Sequence, residues 1–145
     1  MAKAASKPAA PIVEDRGEFS LVLDGATYGL RPSYEAIEAV EAATGQGLID
    51  LARAGLAAKL SLAVTSQVAT EFIRAWGRAN GDKGASGANA PRIAKLILNS
   101  DGGFHAALQT LSGVLSLAVT GGFDAEGEMK PSTTPNPAKE ARVDG

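Results

Sequence analysis

The chain has 145 residues, 45% of them hydrophobic but only 5% aromatic, with a formal net charge of -2 and a pI near 5.4. That length suits one compact domain with a modest core, and basic residues scattered singly among acids argue against nucleic-acid binding, which needs clustered Lys and Arg to neutralise phosphates. There is no cysteine, so disulfides, thiolate nucleophiles and cysteine zinc sites are excluded.

The N-terminus, MAKAASKPAAPIVEDRG, has lysines but no apolar core of signal-peptide length. Phe104 to Val119, the longest greasy run, is interrupted by His105, Gln109, Thr110 and Ser112. It is shorter than the roughly 20 residues of a bilayer span. A soluble, cytoplasmic protein with no membrane partner is expected.

Residues 1–15 read as a flexible N-terminal arm of Ala, Lys, Pro and Ser. Residues 123–145, with three prolines and eight charged residues, read as a disordered tail. The structured part is predicted at 16–122, where nine basic and nine acidic residues balance. It opens on a β-hairpin. Apolar residues alternate through Phe19, Leu21 and Leu23, then Asp24-Gly25 signals a two-residue type I′ turn into Ala26–Leu30. With that turn Leu23 faces Ala26, Leu21 faces Tyr28 and Phe19 faces Leu30, all on one side of the ribbon.

Pro32 and Ser33 open a first helix, with Tyr34, Ile37 and Val40 as its apolar stripe and Gly45 as its left-handed end. A second covers about 48–58, with Leu48, Leu51, Ala52 and Leu56 inward. Ser61 caps the strongest amphipathic helix, whose Thr65, Val68, Ala69, Phe72, Ile73 and Trp76 follow the 3.6-residue period. Residues 80–88 read as a mobile loop. Asn89 and Pro91 start a short helix carrying Ile93, Leu96 and Ile97. Asp101-Gly102-Gly103 breaks it and can cap the last helix, whose stripe is Phe104, Leu108, Leu111, Leu115 and Ala118. The fold class is α+β, mainly α: a hairpin followed by about five short helices in a compact bundle.

No catalytic, cofactor or metal site assembles from these residues. His105 is the only histidine, and an Asp101–His105 pair four apart suits a helix start better than a general base without a nucleophile. Glu35, Glu38 and Glu41 form an acidic stripe without the histidine or Asp-rich loop of a zinc or calcium site; a solvated face is the default, open to a basic partner. The glycines at 81–87 lack the Gly-Lys-Ser/Thr ending of a phosphate loop. Trp76, at a helix end beside a loop, is divided between core packing and partner contact. The candidate partner-contact residues are Glu38, Glu41 and Trp76.

The order of short motifs is familiar. Arg16-Gly17-Glu18 precedes the hairpin, Val40-Glu41-Ala42-Ala43-Thr44-Gly45 follows it, then Gly47-Leu48-Ile49-Asp50-Leu51-Ala52, Leu60-Ser61 and Ala75-Trp76-Gly77-Arg78-Ala79-Asn80-Gly81. Over about residues 16–121 this resembles the phage tail assembly chaperones, in their gene transfer agent branch, a family also labelled as tail tube proteins. The resemblance implies a non-enzymatic protein that binds the tape measure protein and helps recruit tail tube subunits. A structural tail subunit of the particle is the alternative, a small enzyme a more distant one. Whether the chain forms a homo-oligomer stays open.

Overall fold

A computed structural model describes residues 19–131, which form a two-stranded hairpin followed by six helices, mostly α and in the expected order. The segment 1–15 and residues 132–145 of the expected tail lie outside the described residues. Strands β1 (Phe19–Leu23) and β2 (Ala26–Leu30) pair antiparallel in the expected register, Phe19 with Leu30, Leu21 with Tyr28 and Leu23 with Ala26. Asp24 (φ 51°) and Gly25 (φ 83°) both take positive φ, as a type I′ turn requires. Leu21, Leu23 and Leu30 are buried, with Phe19 and Tyr28 half-buried against the same core.

Helix α1 (Tyr34–Thr44) starts where Ser33 Oγ accepts from Ala36 N at 3.2 Å and ends at Gly45, φ 72°. Its buried residues are Ala36 and Val40, and Tyr34 is not part of that face: it is 61% exposed. At 3.6 residues per turn Tyr34 sits about 160° around the helix from Ala36. The small Ala36 side chain lies on the side of α1 turned inward. Helix α2 (Leu48–Leu56) packs on the last helix through Leu51, Ala52 and Gly55. A Cβ on Gly55 would stand 2.6 Å from Ser112 Oγ, so the glycine sets the centre of this close contact. Leu56, expected inward, lies about 100° around from Gly55 and is 71% exposed.

Helix α3 (Leu62–Asn80) is the axis of the fold and touches α1, β2 and the three helices that follow it. Ser61 Oγ caps it by accepting from Val64 N at 3.1 Å, and the whole expected stripe from Thr65 to Trp76 is buried. The expected mobile loop is instead structured. A sixth helix, α4 (Lys83–Ser86), fills it, capped by Asp82 Oδ1 accepting from Ala85 N at 3.0 Å. Gly77 explains its position: a Cβ there would lie 2.4 Å from Ser86 N, so only glycine lets the α4 backbone rest on α3. Arg74 fastens the exit of this turn by donating Nε to Ala88 O at 2.6 Å.

Helix α5 (Ala90–Asn99) is capped by Asn89 and buries Ile93 and Ile97. Helix α6 (Gly103–Val119) buries Leu108, Leu111 and Leu115, with Phe104 and Ala118 half-buried. Asp101 does not cap it; the N-cap is Gly102, with no side-chain bond. Among the described residues no single helix is long and apolar enough to cross a membrane.

The domain does not end at 122. Phe123 is only 8% exposed and meets Phe19 edge to face with ring centroids 5.5 Å apart. Behind it, Phe123 and Met129 form a β-bridge around a turn in which Asp124 Oδ1 accepts from Glu126 N and Glu128 N. Ala125 O accepts from Tyr34 N at 2.8 Å, and Glu128 pairs with Arg31 at 3.3 Å. One aromatic anchor thus folds a stretch whose composition is that of a tail. A chain ending at residue 131 should match the full chain in urea denaturation, and one ending at 122 should lose about 3 kcal/mol or more through Phe123 alone. Equal stability of the two truncations would show that Phe123 anchors nothing.

Candidate functional site

The three residues expected at a partner surface fall in different environments. Glu38 is exposed on α1, where the Tyr34 hydroxyl donates to Glu38 Oε2 at 3.3 Å. Glu41 is also exposed, but its Oε2 accepts from Leu48 N at 2.9 Å. Leu48 N, at the first position of α2, has no acceptor within its own helix, and Glu41 supplies one from the preceding helix. The carboxylate ties the first turn of α2 back to α1.

Trp76, divided by the sequence between core packing and partner contact, lies in the core. It is 2% exposed, on a helix that runs on past it to Asn80. Its indole lies over Gly29: a Cβ at that position would stand 2.4 Å from Cε2 and 2.5 Å from Nε1. Gly29 alternates with Tyr28 and Leu30, so the ring lies on the side of β2 away from theirs. Nε1 has no hydrogen-bond partner among the described residues. The side chain is a core element that clamps β2 to α3 and is not available at the surface.

His105 is exposed on the first turn of α6 and forms no ion pair with Asp101 within 4.0 Å. Among the described residues no three His, Cys, Asp or Glu side chains are grouped to hold a metal ion. Grooves among the described residues include two of note. One, of about 410 Å³, lies between the start of α1, the end of α3 and the C-terminal turn, with Arg31, Arg78, Glu35 and Glu126 in its walls. Its charges balance. The other, of about 550 Å³, runs between β1 and the turn from α5 to α6, and Asp24 and Asp101 are the charged residues of its lining.

The most exposed apolar side chains on one helix were not anticipated. Ile49 (54% exposed) and Leu56 (71%) stand seven residues apart on α2, on one face, with exposed Arg53 between them. The signal was present in the sequence: LIDLARAGL is apolar at more positions than one contact face can use. Leu51, Ala52 and Gly55 take the buried side, leaving Ile49 and Leu56 a second stripe. No family model, curated protein or solved structure matches the chain.

Proposed function

We propose that the protein is a non-enzymatic tail assembly chaperone of phage or gene transfer agent type, which binds helical segments of a tape measure protein and helps recruit tail tube subunits. The reading rests on the order of motifs along residues 16–121. The structural observation that supports it is the exposed Ile49–Leu56 stripe of α2. An amphipathic partner helix is held by apolar anchors one and two turns apart on a solid face, and α2 offers the two-turn spacing while its opposite side is packed on α6. Arg53 between the anchors favours a partner with an acid beside its apolar stripe. Such capture needs no chemistry, only burial of apolar area that a free tape measure segment leaves in water.

The test is co-expression with the tape measure protein, followed by pull-down and by proteomics of purified particles. The tape measure protein should become soluble with this chain, and the chain should be absent from finished tails. Ile49→Asp with Leu56→Asp should reduce capture by about tenfold or more with the fold retained, since both side chains mostly face water and the cost is confined to helix propensity and the dipole at the end of α2. Undiminished capture by that variant would remove α2 as the docking face. A stoichiometric presence in finished tails would replace the chaperone reading with that of a structural tail subunit.

A further inference from the structure

Two helices turn complementary faces to water. On α5 the side opposite buried Ile93 and Ile97 carries Arg92, Lys95 and Leu98, all exposed, Leu98 by 59%. On α1 the side opposite buried Ala36 and Val40 carries Tyr34, Glu38 and Glu41, again all exposed, Tyr34 by 61%. Each stripe combines one large apolar side chain with two charges of a single sign. Helix α5 contains no acid and α1 no base. The charges also stand at the unfavourable ends of their own helices. Glu41 is in the last turn of α1, beside carbonyls of partial negative charge. Arg92 is in the first turn of α5, beside N–H groups of partial positive charge. Helix stability alone selects the reverse. A partner helix lying antiparallel supplies what each lacks, because it sets the C-terminus of α1 beside the N-terminus of α5.

We propose that a second copy of this chain docks on these faces, the α5 stripe of one copy lying antiparallel on the α1 stripe of the other. The spacings agree. At about 1.5 Å of rise per residue, Glu38 and Glu41 lie about 6 and about 10.5 Å along α1 from Tyr34. Lys95 and Arg92 lie about 4.5 and about 9 Å along α5 from Leu98. The two ladders therefore match within about 1.5 Å, well inside the reach of these long side chains. Leu98 meets the Tyr34 ring, Lys95 meets Glu38, and Arg92 meets Glu41. Glu41 keeps its bond to Leu48 N through Oε2 and receives the guanidinium on its other oxygen. The charge pairs set the register, and burial of Leu98 and Tyr34 supplies the affinity. A contact of two helix faces lies at the small end of specific interfaces, so the association is weak and sensitive to salt. The Ile49–Leu56 stripe of α2 takes no part in it, and the proposal stands apart from the capture of a partner helix.

Sedimentation velocity on the full chain, from about 5 to about 500 µM, reads this association directly. The average mass should rise with concentration, and the association constant should fall about fivefold or more between about 50 and about 500 mM salt. Lys95→Glu and Glu38→Lys each place like charges across the contact, and each alone should weaken self-association by about tenfold or more. Both positions are exposed, so the fold is retained, which circular dichroism checks. An equimolar mixture of the two variants pairs opposite charges again, Glu38 with Lys95 and the introduced lysine with the introduced glutamate. It should associate as the unsubstituted chain does. A chain that stays monomeric across the range would overturn the proposal, as would association that neither reversal weakens. A mixture no stronger than its two components would show that these faces do not meet.

Discussion

Phe72→Ala is expected to cost about 3–5 kcal/mol of folding stability, the largest loss from any single side chain removed here. Phe72 is 0% exposed on α3, the helix that touches every other helix but α2 through well-formed contacts and also holds β2. Its carbonyl accepts from Arg31 N at 3.0 Å, so the backbone at this position ties the end of the hairpin to the helix axis and resists collapse into the cavity. A domain of this size has about 5–15 kcal/mol in total, so the variant should unfold at a much lower urea concentration. Phe72→Leu, which keeps most of the volume, should lose less than half as much. A loss below about 1 kcal/mol for the alanine variant would place Phe72 outside the core.

The second large effect is at Gly29, and it runs against local propensity. Valine is favoured over glycine in a strand, so the sequence alone expects Gly29→Val to stabilise β2. The indole of Trp76 reverses that expectation, because the new Cβ would fall 2.4 Å from Cε2. We expect a destabilisation of at least about 2 kcal/mol from overpacking. The emission of the chain's single tryptophan should shift red as the ring is displaced toward water. Trp76→Ala destabilises by itself through its cavity, and the double variant should be more stable than the sum of the two losses by about 1 kcal/mol or more. Neutral or stabilising behaviour of Gly29→Val, with emission unchanged, would show that the ring does not cover Gly29.

These two positions also show where a sequence is legible. The hairpin register was readable because Asp-Gly fixes the turn and a period of two fixes the facing residues, and both gave one answer. Helix α3 was readable because six apolar or small residues follow one period. Tyr34 and Leu56 were misread because a large apolar side chain outweighs alanine or glycine in a pattern, whereas the close contacts of α1 and α2 form at Ala36 and Gly55. Trp76 stays divided between core and surface in the sequence because the ring's platform is an absence: Gly29 reads as a weak strand residue until the indole is seen above it. Helix α4 was hidden in a run of glycines, and only Asp82, three residues ahead of Ala85, hinted at a cap. Glu41 belonged to the candidate surface by composition, but the residue it serves, Leu48, carries no signal that an acceptor is needed. At the candidate surface, the sequence pointed to an acidic stripe, and the exposed apolar stripe of α2 emerged only once α6 had claimed the other side.

The edge-to-face contact of Phe19 with Phe123 joins β1 to the turn that follows α6. A ribosome releases these residues in the opposite order to their use. The hairpin can form as soon as it leaves the exit tunnel, but a lone hairpin is marginal, and its aromatic partner is made only after all six helices. Strand β1 is therefore made early and secured late, and a nascent chain stalled before Phe123 presents an unfinished apolar face to whatever waits outside the tunnel.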